Sequence, residues 1–200
     1  MAVVSNGTTL ISGGALDSAV STGSLTLLST QTASASSSID FTSGIDSTYD
    51  SYIFKFIDIH PSNDNTNFQV NFRKSGDTTF TATKTSTFFR AYHFENDGGA
   101  GIGYQTGFDL AQSTGSQSLM PNVGNDNDHC CVGTLQLFNP SSTTFAKHFI
   151  FRGSRSHQAD FAVEDCAGGY CNETLAITGV QFTFLNGNID SGIIKMYGVK

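Results

Sequence analysis

The chain has 200 residues, a formal net charge of −7 and only 14% charged residues, a length that suits one domain or one domain with an arm. Its ten scattered Lys and Arg exclude a phosphate-binding surface, because nucleic-acid affinity rests on basic groups that neutralise the backbone. No window approaches the roughly 18 consecutive apolar residues of a membrane helix, and the first twenty residues lack a basic start followed by an apolar core, so cytoplasmic synthesis is expected.

With 17 Phe against 3 Met and no Trp, the core is expected to be aromatic and aliphatic, under a surface of Ser, Thr, Asn and Gly. Residues 1–23 are small, polar and Gly-rich, with isolated apolar positions at Val3, Val4, Leu10, Ile11, Leu16 and Val20. This composition is poor for a core and suits an arm that orders against something else, the reading preferred here, or a disordered lead. From Ser24 the pattern becomes regular. Residues 25–31 read as a strand, 34–38 as a low-complexity linker and 39–41 as a short strand.

Residues 49–74 form the centre of the pattern. Tyr52, Phe54 and Phe56 alternate with Ile53, Lys55, Ile57 and Ile59, which predicts a central strand covered on both faces with Lys55 reaching out along its stem. Phe68, Val70 and Phe72 alternate with Gln69, Asn71 and Arg73, the period of a strand with one buried face. The turn residues 60–65, including Pro61, predict that these two strands make a hairpin. Residues 84–94 are β-prone, 98–103 read as a flexible tip, 104–110 as a short strand and 113–128 as a long polar loop or an edge excursion. Residues 133–138 and 145–151 predict a hairpin around Asn139-Pro140. Strands at 160–164, 177–185 and 193–199 follow, with a turn at Asn186-Gly187-Asn188. About ten strands and no 3.6-residue apolar period predict an all-β fold: an antiparallel β-sandwich over 24–200, of jelly-roll type, with the N-terminal arm.

Residues that carry chemistry are few. His129 beside Cys130 has adjacency without the orienting partners of a nucleophile. His148 lies in a strand and is expected to be a half-buried packing residue. Neither the Gly98–Gly103 run nor Asn125-Asp126-Asn127-Asp128 matches a phosphate cradle or a full calcium loop, so a hairpin tip and a solvated turn are expected. Asp160, Glu164 and Asp165 are the only clustered acids near a strand, and Tyr92, Tyr104 and Tyr170 are the aromatics left for sugar stacking. Of the four cysteines, Cys166 and Cys171 flank an expected hairpin tip, and Cys130 and Cys131 are adjacent. Disulfides among them stay open, with free thiols expected for a chain folded in a reducing compartment. No catalytic, cofactor-binding or metal residue is assigned.

The run LLSTQTASASSSIDFTSGIDSTYDSYIFKFIDIHPSNDNTNFQVNFRKSG, the segment TLQLFNPSSTTFAKHF and the ending TLAITGVQFTFLNGNIDSGIIKMYGVK together resemble a group of structural proteins of tailed bacteriophages, common in marine phages. The likeness covers about residues 24–200. Its most specific parts are Ile45 with Tyr49-Asp50-x-Tyr52, then Leu137-Phe138-Asn139-Pro140, and residues 192–200. The resemblance implies a virion location rather than a mechanism, and no catalytic residue comes with it. The paired cysteines depart from the group's usual pattern. The expectation is therefore a non-enzymatic virion component, a capsid decoration, head fibre or tail-fibre module, attached to other virion proteins through its arm. A homo-oligomer is expected, a trimer first from symmetry habits, with no cofactor, nucleic acid or membrane partner. The alternative is a carbohydrate-binding module for host surface glycans, and a glycosidase using Asp160 and Glu164 is a third reading.

Overall fold

The computed structural model describes residues 3–5, 8–12, 15–16 and 25–200. Three short strands, β1 (Val3–Ser5), β2 (Thr8–Ser12) and β3 (Ala15–Leu16), pair antiparallel in a small sheet of their own. The other positions of the arm expected over 1–23 lie outside the described residues. The body consists of β4 (Leu25–Ser36), β5 (Ile39–Phe41), β6 (Ser51–Pro61), β7 (Thr66–Lys74), β8 (Lys84–Phe94), β9 (Ala100–Tyr104), β10 (Gln117–Val123), β11 (Cys131–Phe138), β12 (Lys147–His157), β13 (Phe161–Cys171), β14 (Ile177–Phe184) and β15 (Ile189–Val199).

Every pairing is antiparallel, and the described residues contain no helix. Eight strands form one sheet in the order β4-β15-β6-β11-β12-β13-β8-β9, and four form a second in the order β10-β7-β14-β5. The two are joined where Val123 of β10 pairs with His157 of β12, and they approach again where Gln31 Nε2 of β4 donates to the Asp40 carbonyl of β5 at 2.7 Å. The result is an all-β sandwich nearly closed into a barrel, with β13, β8 and β9 as a flange beyond β12. The strand order does not itself establish a jelly roll.

Period-two patterning explains the core. Phe54 and Phe56 of β6 face Phe182 of β14 at centroid distances of 5.4 and 5.0 Å, and Phe56 meets Phe68 of β7 at 5.2 Å, all edge-on. Such aromatic contacts add about 0.5–1.5 kcal/mol each beyond burial. The expected hairpin of β6 with β7 is corrected by the same contacts. These strands lie in opposite sheets, and the apolar faces that looked like neighbours in one sheet are stacked across the sandwich. Residues 186–188 make a second crossing, from β14 to β15. The two crossings are clipped together, Ser62 N donating to Asn188 O at 3.0 Å and Asn188 N to Ser62 Oγ at 2.8 Å.

The expectation that β6 is covered on both faces is also corrected. It is central, between β15 and β11, but Lys55 and Ile57 are exposed while Tyr52, Phe54 and Phe56 are buried. Lys55 does reach outward, lying over the Tyr197 ring at 5.5 Å. At Asp58, φ is +50° and the strand holds one residue more than either neighbour, which turns Ile59 back into the core. The backbone of Gly192 fits against this bulge with φ +121°, and a Cβ there would sit 2.7 Å from the Asp58 carbonyl oxygen. Gly192→Ala is therefore expected to destabilise by about 1–3 kcal/mol, the cost of a strained backbone, as a shift of the urea midpoint. An unchanged midpoint would contradict the close approach.

Four loop expectations change, the first because residues 34–36, read as linker, continue β4. Residues 117–123, read as loop, form the buried strand β10, whose polar start is satisfied: Gln117 Nε2 donates to Phe108 O at 2.9 Å and to Ser118 O at 2.7 Å. Four of the six residues of the 98–103 tip belong to strand β9, which displaces the strand read at 104–110. The turn read between Cys166 and Cys171 is continuous strand, paired along its length with β12 and β8. The hairpin of β11 with β12 is as expected, in register from Cys131 opposite Arg155 to Leu137 opposite Phe149.

Candidate functional site

On the outer face of the flange, alternate residues of β13 point outward: Glu164, Cys166, Gly168 and Tyr170. The register sets Gly168 between Ile150 of β12 and Thr87 of β8, and Tyr170 between His148 and Thr85. Gly168 has no side chain, and a Cβ placed there would touch only Thr87 Oγ1, at 3.9 Å. This leaves an open groove of about 480 Å³ floored by Gly168 and walled by Ile150, Tyr170, His148, Thr85 and Thr87. The His148 and Tyr170 rings lie 5.7 Å apart. The groove offers an aromatic edge, hydroxyls and an aliphatic wall, which suits a flat, weakly polar ring or an apolar side chain. His148, expected to be half-buried, is exposed here, because β12 directs its even-numbered residues outward up to Ser154.

The candidate acids face different ways. Glu164 is on the outer face, paired with Arg152, whose guanidinium holds the carboxyl below its usual value. Asp165 faces inward, fully buried, 2.6 Å from Arg155 Nε. Asp160 sits in the turn before β13, at φ +56°. Tyr104 is exposed, with its hydroxyl on Asp109, and Tyr92 packs edge-on against Phe94 and Phe161.

His129 Nε2 lies 3.7 Å from Asp160 Oδ1, and the neighbouring Cys130 thiol is pushed up by burial and then by Asp58, the opposite of an activated nucleophile. Asn125 bonds to the crossing at 62–64, its backbone N donating to Asp64 Oδ1 at 3.3 Å and its Nδ2 to Ser62 O at 3.4 Å. Asp126 O accepts from His129 N at 2.8 Å. Among the described residues no three His, Cys, Asp or Glu are grouped to hold a metal ion. All four cysteines are free. Cys166 and Cys171, five apart on one strand, face opposite sides of the sheet, as do the adjacent Cys130 and Cys131.

Three buried basic side chains, Lys84, Lys147 and Arg155, were not singled out from sequence. Lys147, Cys171 and Lys84 sit abreast on the inner faces of β12, β13 and β8. Lys84 Nζ donates to Asn71 Oδ1 at 2.6 Å and to Ala82 O at 2.7 Å, and Lys147 Nζ to Glu173 O at 2.7 Å. Burial brings the Lys84 amine down to about 8 and pushes the Cys171 thiol up to about 12. Further along the same faces lie Arg155 and Asp165. Parity was the available signal: on β12, Lys147 and Arg155 share the odd positions with Phe149 and Phe151.

Comparison with protein-family models, with curated proteins and with solved structures finds no match in any of the three.

Proposed function

We propose that the chain is a non-enzymatic structural component of a bacteriophage virion, a β-sandwich module that docks on other virion proteins and forms a symmetric homo-oligomer. The observation that carries this reading is the outer face of the eight-stranded sheet. Leu25, Leu27, Ile57, Val132, Ile150, Phe89 and Ile102 stand exposed along it, apolar side chains that a docked neighbour would cover. The phage assignment rests on the resemblance of residues 24–200 to tailed-phage structural proteins. A head decoration, head fibre or tail-fibre position, with residues 1–23 as the attachment segment, fits a rigid body carrying a short lead. Mass spectrometry of gradient-purified particles tests it: the protein should sediment with particles at a fixed copy ratio. Finding it only in the soluble lysate would overturn the reading.

The Gly168 groove favours glycan binding as a second reading, with Tyr170 as the stacking ring and Thr85 and Thr87 as hydrogen-bonding rims. On a glycan array, binding that falls at least tenfold in Tyr170→Ala would establish it. No binding to any arrayed glycan would remove it.

A further inference from the structure

The two ends of the eight-stranded sheet are finished differently. At one end β9 is five residues long, and the short β5 edges the smaller sheet with three. At the other end β4 runs for twelve residues, LTLLSTQTASAS, and among the described residues it pairs only with β15. Natural sheets guard an edge of that length with lysine, proline or strong bulges, because its unpaired N–H and C=O groups template another strand. β4 carries no charge and no proline. Its irregularities are the slip near Leu28 and the positive φ at Ala35, which leave residues 29–34 straight.

The geometry points to β4 as a homotypic interface: it pairs antiparallel with β4 of a second copy of this chain, joining two eight-stranded sheets into one across a twofold axis. Charge decides the occupant. Two copies of a chain at −7 repel over most of their surface, and β4 is a long stretch where they meet without opposing like charges. The strand also complements itself. An axis at Gln31 sets Thr30 across from Thr32 of the second copy on the outer face, a favourable cross-strand pair. Flanking this segment, Leu25 and Leu27 are 41% and 51% exposed. They continue through Tyr197 and Ile53 of the neighbouring strands, so apolar surface adjoins the hydrogen-bonding edge. An isologous contact of this kind closes on itself. The homo-oligomer proposed above is then even-numbered, in place of the trimer that symmetry habits suggest. The inference deepens the proposed function by naming the self-interface, and its test uses purified chain without particles, so either can fail alone.

Sedimentation velocity of the full chain over a range of concentrations is the experiment, with the double variant Thr30→Lys/Thr32→Lys and the control Thr78→Lys on the exposed 75–79 turn. Thr30 and Thr32 are exposed, so the variant keeps the fold, checked by an unchanged circular dichroism spectrum. Wild type and control should sediment as a dimer or a multiple of it, and the double variant should dissociate with a constant at least tenfold higher. A wild-type monomer at every concentration, a trimer, or a dimer indifferent to the two lysines would overturn the inference. So would dimerisation seen only after removal of residues 1–24, which would make that segment the edge's own cover.

Discussion

Replacing Phe182 with alanine is expected to cost about 3–5 kcal/mol, the range for a fully buried phenylalanine that leaves a cavity. The ring is 0% exposed and stands at the crossing of both sheets. It meets Phe54 and Phe56 from the large sheet, Phe41 at 6.2 Å and Phe68 at 5.9 Å in a stacked arrangement. No neighbour can collapse into the space without leaving its own contacts, so the loss should fall at the high end. A domain of this size holds on the order of 5–15 kcal/mol in total, and the variant should be partly unfolded at 37 °C. Phe145→Ala is the control, since that ring is 70% exposed in the turn before β12 and its loss should stay within about 0.5 kcal/mol. Urea midpoints measure both, and equal shifts would contradict a core centred on Phe182.

Much of this core was legible in the sequence. Phe68, Val70 and Phe72, and likewise Val180, Phe182 and Phe184, alternate cleanly, and each set faces inward. What periodicity does not encode is which sheet a strand joins. A turn such as 60–65 reverses the chain equally well within a sheet or across it, and the decision between them is made by core contacts outside the turn, Phe56 with Phe68 and both with Phe182. The same limit hid β10, whose Gln117 and Ser118 look like loop residues until the partners that satisfy them are known. The groove was partly visible, because Tyr170 and His148 stood out as residue types. Its floor was not, because Gly168 reads as a turn signal, and only the register with Ile150 and Thr87 makes it a gap in a side-chain layer. Residues 25–31 of β4 were recognised as a strand and 34–36 were read as linker, and the strand's position at an edge comes from topology alone.

Arg155→Met is expected to cost about 3–5 kcal/mol at pH 8, because it leaves the Asp165 carboxylate buried without its partner. Both side chains are fully enclosed, Arg155 also donating through Nη1 to Asn122 O at 3.3 Å. The pH dependence separates this cause from simple loss of packing. Burial outweighs the guanidinium beside it and pushes the Asp165 carboxyl up to about 6. A carboxyl raised on folding contributes most below its ordinary value near 3.8, and that contribution is lost as pH rises through 6. His157 does the reverse. Burial, then Arg155 and Arg90, bring its imidazole down to about 4, so stability is lost as pH falls from 6.5 through 4. Between pH 4 and 6 the folded state takes up a proton at Asp165 where the unfolded state takes one up at His157, and the two effects nearly cancel in the wild type. Removing Arg155 raises Asp165 further and relieves His157, and both changes favour acid. The variant's deficit against wild type should therefore shrink steadily from pH 8 to pH 5 in urea titrations. Arg155→Met/Asp165→Leu, which buries neither charge, should recover most of the loss at pH 8. A deficit constant across this range, or a double variant no better than the single one, would mean that Arg155 acts by filling space and that the buried carboxylate is not what it holds in place.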